Sequence, residues 1–137
     1  MLYVALGAIL GTNYLCLGLV VMKPHVLILE DDFLIAANLE DVVQEDLLAE
    51  PISVSTVAEA LTIIPDIEFA LLDVEVRDGN SYKVARKLKE CEIPFVFVSG
   101  NDRLSLPYDL QDAPFLSKPV ASGRLVRLAK ALSSAFH

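Results

Sequence analysis

Four polar clusters in this sequence each follow a short apolar run. They are Glu30-Asp31-Asp32 after Val26–Leu29, Asp73 after Phe69–Leu72, Ser99 after Phe95–Val98, and Lys118 after Phe115-Leu116. Together they supply carboxylates, a hydroxyl group and an ammonium group. Carboxylate oxygens are the ligands that a hard cation such as Mg²⁺ prefers, and an ammonium group is a point charge suited to a phosphoryl oxygen. This set of groups therefore predicts chemistry on a divalent cation and a phosphoryl group.

The elements that carry these clusters alternate between strands and helices. Short apolar runs with Val, Ile or Phe predict buried strands, and apolar residues spaced by three or four predict helices. The predicted strands are His25–Leu29, Ile52–Val54, Phe69–Leu72, Ile93–Val98 and Phe115-Leu116, and the predicted helices are Phe33–Leu47, Val57–Ile64, Val84–Cys91 and Leu125–Leu132. Such alternation predicts a parallel sheet with helices on both faces. Ligands of these sheets bind at the carboxyl ends of the strands, where we expect the four clusters to converge.

In this order, the motifs resemble the receiver domain of bacterial two-component response regulators. The resemblance covers residues 23–137 and rests on Glu30-Asp31, Asp73, Ser99 and Lys118-Pro119. It implies a CheY-like, flavodoxin-like α/β fold of three layers, in which helices cover both faces of a doubly wound, five-stranded parallel sheet of order 2-1-3-4-5. It also implies that a histidine kinase or histidine phosphotransfer protein donates a phosphoryl group to the domain. A downstream protein partner, which the sequence does not identify, would then recognise the phosphorylated domain.

The resemblance also implies a metal site at the strand ends. Glu30, Asp31, Asp73 and the backbone carbonyl of Glu75 are the implied ligands of Mg²⁺ or Mn²⁺. Asp32 begins the following helix, so we expect it to act as a helix cap as much as a ligand. Without Asp73, the acids after the first strand would be read as ordinary acids at a helix N-terminus.

The residues implied to contact the phosphoryl group follow the later strands. Asp73 is the implied phosphoacceptor, and Ser99 and Lys118 are implied to bind the transferred group. The peptide bond between Lys118 and Pro119 is implied to be cis. Ser99 and Phe115 are implied to form a switch, although Phe115 lacks the hydroxyl group of the Tyr that is often found there.

The segment between Ser99 and Lys118 departs from the regular pattern of the fold. Its prolines interrupt it, and its leucines make no helical stripe, so we expect the fourth helix of the fold to be short or missing. A subgroup of single-domain receivers is similar at three places. They are Leu106-Pro107, Ala113-Pro114 and the stretch 94–100, which carries Ser where that subgroup has Thr.

The charge and hydropathy of the sequence limit which partners and which location the domain can have. The net charge is -8, which argues against nucleic acid as a partner. Residues 1–22 contain no charged residue, and two interpretations stay open: the natural start is Met22, or Leu2–Val21 is a membrane anchor. We expect a cytoplasmic domain, held at a membrane only in the second case. Cys16 and Cys91 are far apart in sequence, and we expect two buried thiols.

Three functions stay open from the sequence. The leading one is a stand-alone receiver that catalyses only its own phosphorylation and dephosphorylation, and is therefore no enzyme towards other substrates. The second is a receiver-like binding module that is not phosphorylated. The third is a phosphatase of the haloacid dehalogenase type, because Asp73-Val74-Glu75 loosely resembles its motif. Those phosphatases need further acids after the lysine, and residues 118–137 contain none.

The last predicted helix carries basic residues that could contact a partner protein. Arg124, Arg127 and Lys130 are spaced by three and form a basic stripe. Such a stripe is typical of a solvated helix face, and it equally fits contact with an acidic helix of a partner. Whether the chain forms a homodimer stays open.

Overall fold

This computed structural model describes residues 22–136, in which five parallel strands form one sheet with helices on both faces. The strands of the sheet are β1 (His25–Leu29), β2 (Glu50–Val54), β3 (Phe69–Leu72), β6 (Phe95–Ser99) and β7 (Phe115–Ser117). A separate antiparallel hairpin consists of β4 (Glu75–Val76) and β5 (Gly79–Asn80), and the helices are α1 (Phe33–Glu45), α2 (Val57–Ile63), α3 (Tyr82–Glu90) and α4 (Ser122–Leu132). The sheet order is β2-β1-β3-β6-β7. Without the hairpin strands this is 2-1-3-4-5, so the predicted fold and strand order are confirmed.

The central strands are apolar throughout because both of their faces are buried. In β1, Leu27 and Leu29 pack with α2 and α3, whereas Val26 and Ile28 pack with α1 and α4 on the opposite face. All four side chains are fully buried. Removing such a side chain from water stabilises the fold by roughly 1.5–3 kcal/mol. The two cores hold the strand ends, and hence the polar clusters, in a fixed order.

Among the element boundaries that differ from those predicted, two lie next to a proline. The second strand begins at Glu50, two residues earlier than predicted, and includes Pro51. β2 lies at the edge of the sheet, where a proline is tolerated because the strand pairs on one side only. The fourth strand of the sheet begins at Phe95, two residues later than predicted, directly after Pro94.

The segment between β6 and β7 contains two three-residue 3-10 helices, Arg103–Ser105 and Tyr108–Leu110. The expectation of a short or missing helix is met by these two short helices. Two leucines anchor the segment to the core: Leu106 is 3 % exposed and Leu110 is fully buried. The segment is also tied to α3, because Arg86 donates two hydrogen bonds to the carboxylate of Asp109, at 2.9 and 3.0 Å.

The prediction of buried thiols is wrong for Cys91. It follows the last residue of α3 and is exposed. Cys16 lies outside the described residues, and so does the segment on which the two interpretations of residues 1–22 depend, apart from Met22. Across residues 22–136, no helix is both long enough and apolar enough to cross a bilayer.

Candidate functional site

Three acidic side chains meet at the carboxyl ends of the two central strands. Glu30 directly follows β1, Asp31 comes next, and Asp73 directly follows β3. The two strands are paired neighbours in register, and the Asp73 N–H donates to the carbonyl of Leu29 at 2.9 Å. One carboxylate oxygen from each of the three acids lies within 4.8 Å of the other two. The pairing of parallel strands therefore produces the convergence expected from the sequence.

A single ammonium group bridges two of these acids. Lys118 Nζ lies 2.7 Å from Glu30 Oε1 and 3.0 Å from Asp73 Oδ2. The exposed fractions of the three side chains are 20 % for Lys118, 2 % for Glu30 and 13 % for Asp73. Lys118 follows β7, where its N–H donates to the carbonyl of Ser99 at 2.9 Å, and the peptide bond to Pro119 is cis. The edge strand β7 thus places the ammonium group of Lys118 beside the acids that follow β1 and β3.

The charges of the site are unbalanced, since three carboxylates face one ammonium. Burial raises the pKa of Glu30 above its ordinary value, and repulsion from Asp73 acts in the same direction, whereas Lys118 and the N–H of Asp32 oppose it. For Lys118, burial lowers the pKa, but the contacts with Glu30 and Asp73 outweigh it and raise the pKa overall. The lysine is therefore held charged, and the cluster retains an excess of negative charge that a divalent cation would relieve.

The donor atoms of the cluster fit a hard divalent cation. Mg²⁺ and Mn²⁺ take carboxylate oxygens, and Mg²⁺ typically binds through one or two carboxylates while it keeps several waters. Asp31 is exposed and Glu30 is buried, so the cluster opens to solvent on one side. Asp32 is instead the cap of α1, because its carboxylate accepts hydrogen bonds from the N–H groups of Leu34 and Ile35.

Glu75 lies on the hairpin that follows Asp73. It is the first residue of β4, where it pairs with Asn80, and its side chain is exposed. Its assignment as a ligand concerns the backbone carbonyl and stays a prediction.

Ser99 and Phe115 lie at opposite ends of two paired strands. Ser99 ends β6 and is 1 % exposed, and its Oγ accepts a hydrogen bond from the N–H of Asn101 at 3.0 Å. Phe115 begins β7 and is half-buried, and the guanidinium of Arg103 lies 5.4 Å from the centre of its ring. The structure therefore places both residues of the predicted switch on the strand pair that leads to Lys118. Their roles stay predictions.

Sequence reasoning missed one residue that supports the site from the hairpin side. The carboxylate of Asp78 accepts hydrogen bonds from the N–H groups of Val57 and Ala58, at 2.7 and 3.2 Å. These bonds cap α2 and lower the pKa of Asp78. The sequence carries only an indirect signal: Asp78-Gly79 is a turn dipeptide, and Gly79 has a φ of 134°. The partner of that turn is twenty residues away, which no local pattern reveals.

Solved structures of other proteins share this fold. The chain is similar to the solution structure of SdrG from Sphingomonas melonis Fr1, with 38% identity and a TM-score of 0.70, over 82% of this chain and 98% of that one. It is similar to the non-phosphorylated HemR receiver domain from Leptospira biflexa, with 26% identity and a TM-score of 0.66, over 81% and 95% of the two chains.

A third structure is similar in fold. It is a response regulator receiver domain (CheY-like) from Methylobacillus flagellatus, with 19% identity and a TM-score of 0.68, over 81% of this chain and 99% of that one. No family model and no curated protein matches the sequence.

Proposed function

Because the chain belongs to the response regulator receiver family, we propose that it accepts a phosphoryl group on Asp73 and signals by protein contact. The donor is the phosphohistidine of a histidine kinase or histidine phosphotransfer protein, which places the reaction in the cytoplasm. The observation that carries this proposal is the contact of Lys118 with Glu30 and Asp73 beside the exposed carboxylate of Asp31. The domain acts only on itself and is no enzyme towards other substrates.

The transfer exchanges one bond to phosphorus for another. A carboxylate oxygen of Asp73 attacks the phosphorus atom, the P–N bond to the donor imidazole breaks, and the electron pair leaves with the imidazole nitrogen, which takes up a proton. The product is an aspartyl phosphate. Catalysis of such a step is mainly positioning and electrostatic stabilisation, so the side chains around Asp73 have to be fixed in advance.

The residues of the chain that fix the reacting group are already in contact. Lys118 and the N–H of Val74 hold the two carboxylate oxygens of Asp73, at 3.0 and 2.8 Å. Lys118 is the positive charge that the phosphoryl oxygens would meet. The hydroxyl of Ser99 would donate to the same group once Asp73 is modified.

Glu30, Asp31 and Asp73 would hold Mg²⁺ or Mn²⁺, with the backbone carbonyl of Glu75 as a further ligand. When bound, the ion neutralises charge on the attacking and transferred oxygens. Without a bound cation, the negative charge of these carboxylates would repel a phosphoryl donor.

Intact-mass measurement of the chain tests the proposal. We expect the chain to gain one phosphoryl group when it is incubated with Mg²⁺ and acetyl phosphate, and the gain to be lost with EDTA and in Asp73→Asn. Asp112→Asn, an exposed acid away from the site, is the matched control and should be labelled as the wild type is.

Three outcomes would overturn the proposal. Labelling of Asp73→Asn at the wild-type level would place the phosphoryl group elsewhere. No gain in mass and no release of phosphate, under conditions that label another receiver domain, would instead favour a binding module that is not phosphorylated. Turnover of a small phosphate ester, abolished in Asp73→Asn, would favour a phosphatase.

A further inference from the structure

The hairpin that carries Glu75 is a weak element when taken by itself. Within residues 22–136, β4 and β5 pair only with each other, and neither strand joins the main sheet. Of the residues from Glu75 to Asn80, Val76 alone is buried. A two-stranded hairpin is at best marginally stable in water. The backbone of Glu75, which is predicted to supply a metal ligand, therefore depends on contacts that the hairpin makes with other elements.

Two contacts hold the base of the hairpin. The N–H of Ser81, directly after β5, donates to the carbonyl of Val74, directly before β4, at 2.8 Å. The side chain of Val76 belongs to the same buried cluster as Val84 of α3. Neither contact reaches the two residues of the turn between the strands, and the side chains of both turn residues are exposed. The turn therefore needs a contact of its own if the hairpin is to have one fixed position.

The carboxylate of Asp78 supplies that contact from the turn to α2. Its Oδ1 accepts a hydrogen bond from the N–H of Val57 at 2.7 Å, and its Oδ2 accepts one from the N–H of Ala58 at 3.2 Å. Both donors belong to the first turn of the helix, where N–H groups lack a partner within the helix. The bond from Val57 also lowers the pKa of Asp78, so the carboxylate is ionised at neutral pH and both of its oxygens are acceptors. Two bonds to consecutive backbone groups fix the position and the rotation of this carboxylate.

From these contacts we infer that Asp78 is a positioning residue of the metal site. By fixing the turn of the hairpin to α2, it holds the backbone of Glu75 in one position, so that the carbonyl is available to complete the set of oxygen ligands. Groups that are not ligands themselves commonly orient the ligands of a metal and raise its affinity. The inference rests on the proposed function, because it assigns Asp78 a part in binding the ion that the acids at the strand ends would hold.

The same contact couples the metal site to α2. If Asp78 strengthens the binding of Mg²⁺, the bound ion must in turn stabilise the contact between Asp78 and α2, because a coupling between two sites is reciprocal. We therefore expect Mg²⁺ to slow the hydrogen exchange of the Val57 and Ala58 amides, which are the donors of that contact. No residue of α2 is among the proposed ligands, so such an effect would report on the hairpin and not on the ligands themselves.

Titration of the full chain with Mg²⁺, followed through its backbone amide signals in NMR, tests the inference. We expect Asp78→Ala to weaken the binding of Mg²⁺ by about fivefold or more, and to abolish the slowing of exchange at Val57 and Ala58. Asp78→Asn keeps one acceptor oxygen and should bind Mg²⁺ more tightly than Asp78→Ala.

The matched control is Thr56→Ala, which removes another cap of the same helix. Thr56 Oγ1 accepts a hydrogen bond from the N–H of Glu59 at 3.2 Å, so this variant loses a bond at the N-terminus of α2 while the contact of the hairpin stays intact. Its affinity for Mg²⁺ should stay within about twofold of the wild-type value, as expected for a site without shared partners.

The outcomes separate this inference from the proposed function. Wild-type affinity in Asp78→Ala, or an equal loss of affinity in Thr56→Ala, would overturn the inference, and phosphoryl uptake by the wild type would still support the proposed function. Exchange at Val57 and Ala58 that stays unchanged while Mg²⁺ binds to the wild type would overturn it as well. A wild type that binds no Mg²⁺ would overturn both. The amide spectra show whether each variant is folded, and if Asp78→Ala is not, the comparison of Asp78→Asn with Thr56→Ala decides in the same way.

Discussion

At the scale of single residues, Lys118 is the residue on which the charge balance of the site depends. Its ammonium group is in contact with two acids, and one of them, Glu30, is almost fully buried. A buried carboxylate that loses its cation is costly, because neither water nor another charge replaces the contact. We therefore predict that Lys118→Met lowers the free energy of unfolding by about 1–3 kcal/mol. Urea denaturation in EDTA measures this loss.

The control for this prediction is Lys130→Met, which removes an exposed lysine of α4. It should change the free energy of unfolding by less than about 0.5 kcal/mol, as expected for a surface site. Equal stability of Lys118→Met and wild type would mean that the ion pairs do not stabilise the fold.

At the scale of elements, Asp78 connects the hairpin after Asp73 to the first turn of α2. Its pKa is lowered because the N–H groups of Val57 and Ala58 donate to the carboxylate, so folding favours the ionised form. The stabilisation is therefore fully present above the ordinary value of 3.8 and is lost as the pH falls through the lowered value. We predict that Asp78→Ala is less stable than wild type at pH 7, and that the difference shrinks in acid. Thermal unfolding at several pH values measures it.

Asp112→Ala is the comparison for Asp78→Ala, since it removes an exposed acid from an irregular segment. It should leave the unfolding midpoint at pH 7 unchanged. A difference between Asp78→Ala and wild type that stays constant down to pH 2 would contradict a role for the ionised carboxylate.

The segment that replaces the fourth helix is anchored by packing even though its backbone is irregular. Leu110 is fully buried, whereas Leu104, six residues earlier, is 74% exposed. We predict that Leu110→Ala lowers the free energy of unfolding by about 2–5 kcal/mol, because it leaves a cavity in the core. Leu104→Ala should cost less than about 0.5 kcal/mol. Urea denaturation of the two variants measures the contrast, and similar small losses would show that the segment does not pack against the core.

The sequence predicted those elements that are determined by residues close together in the chain. The apolar runs that form β1, β3 and β6 can be recognised in the sequence because both faces of those strands are buried. The convergence of Glu30, Asp73 and Lys118 then follows from how parallel strands end. The cap that Asp78 supplies to α2 and the position of Arg103 over Phe115 depend on contacts between distant parts of the chain, so no local pattern predicts them.

At the scale of the whole molecule, strand ends from across the sheet concentrate like charges at one edge, and we expect a bound cation to offset the repulsion between them. A ligand that binds only the folded state stabilises it, by about 1.4 kcal/mol at ten times its Kd. For a domain of this size that corresponds to a rise of several degrees in Tm. We predict such a rise when Mg²⁺ is added to the wild type.

The same argument predicts that Asp31→Asn abolishes the rise in Tm with Mg²⁺, because the variant loses one of the carboxylates proposed to hold the ion. In EDTA the variant should be at least as stable as wild type, since one repelling charge has gone. Asp41→Asn, an exposed acid of α1, is the matched control and should keep the full rise. Thermal unfolding with and without Mg²⁺ measures both effects. An equal rise in Asp31→Asn would show that the ion binds away from this cluster, and the excess negative charge at the sheet edge would then need another explanation.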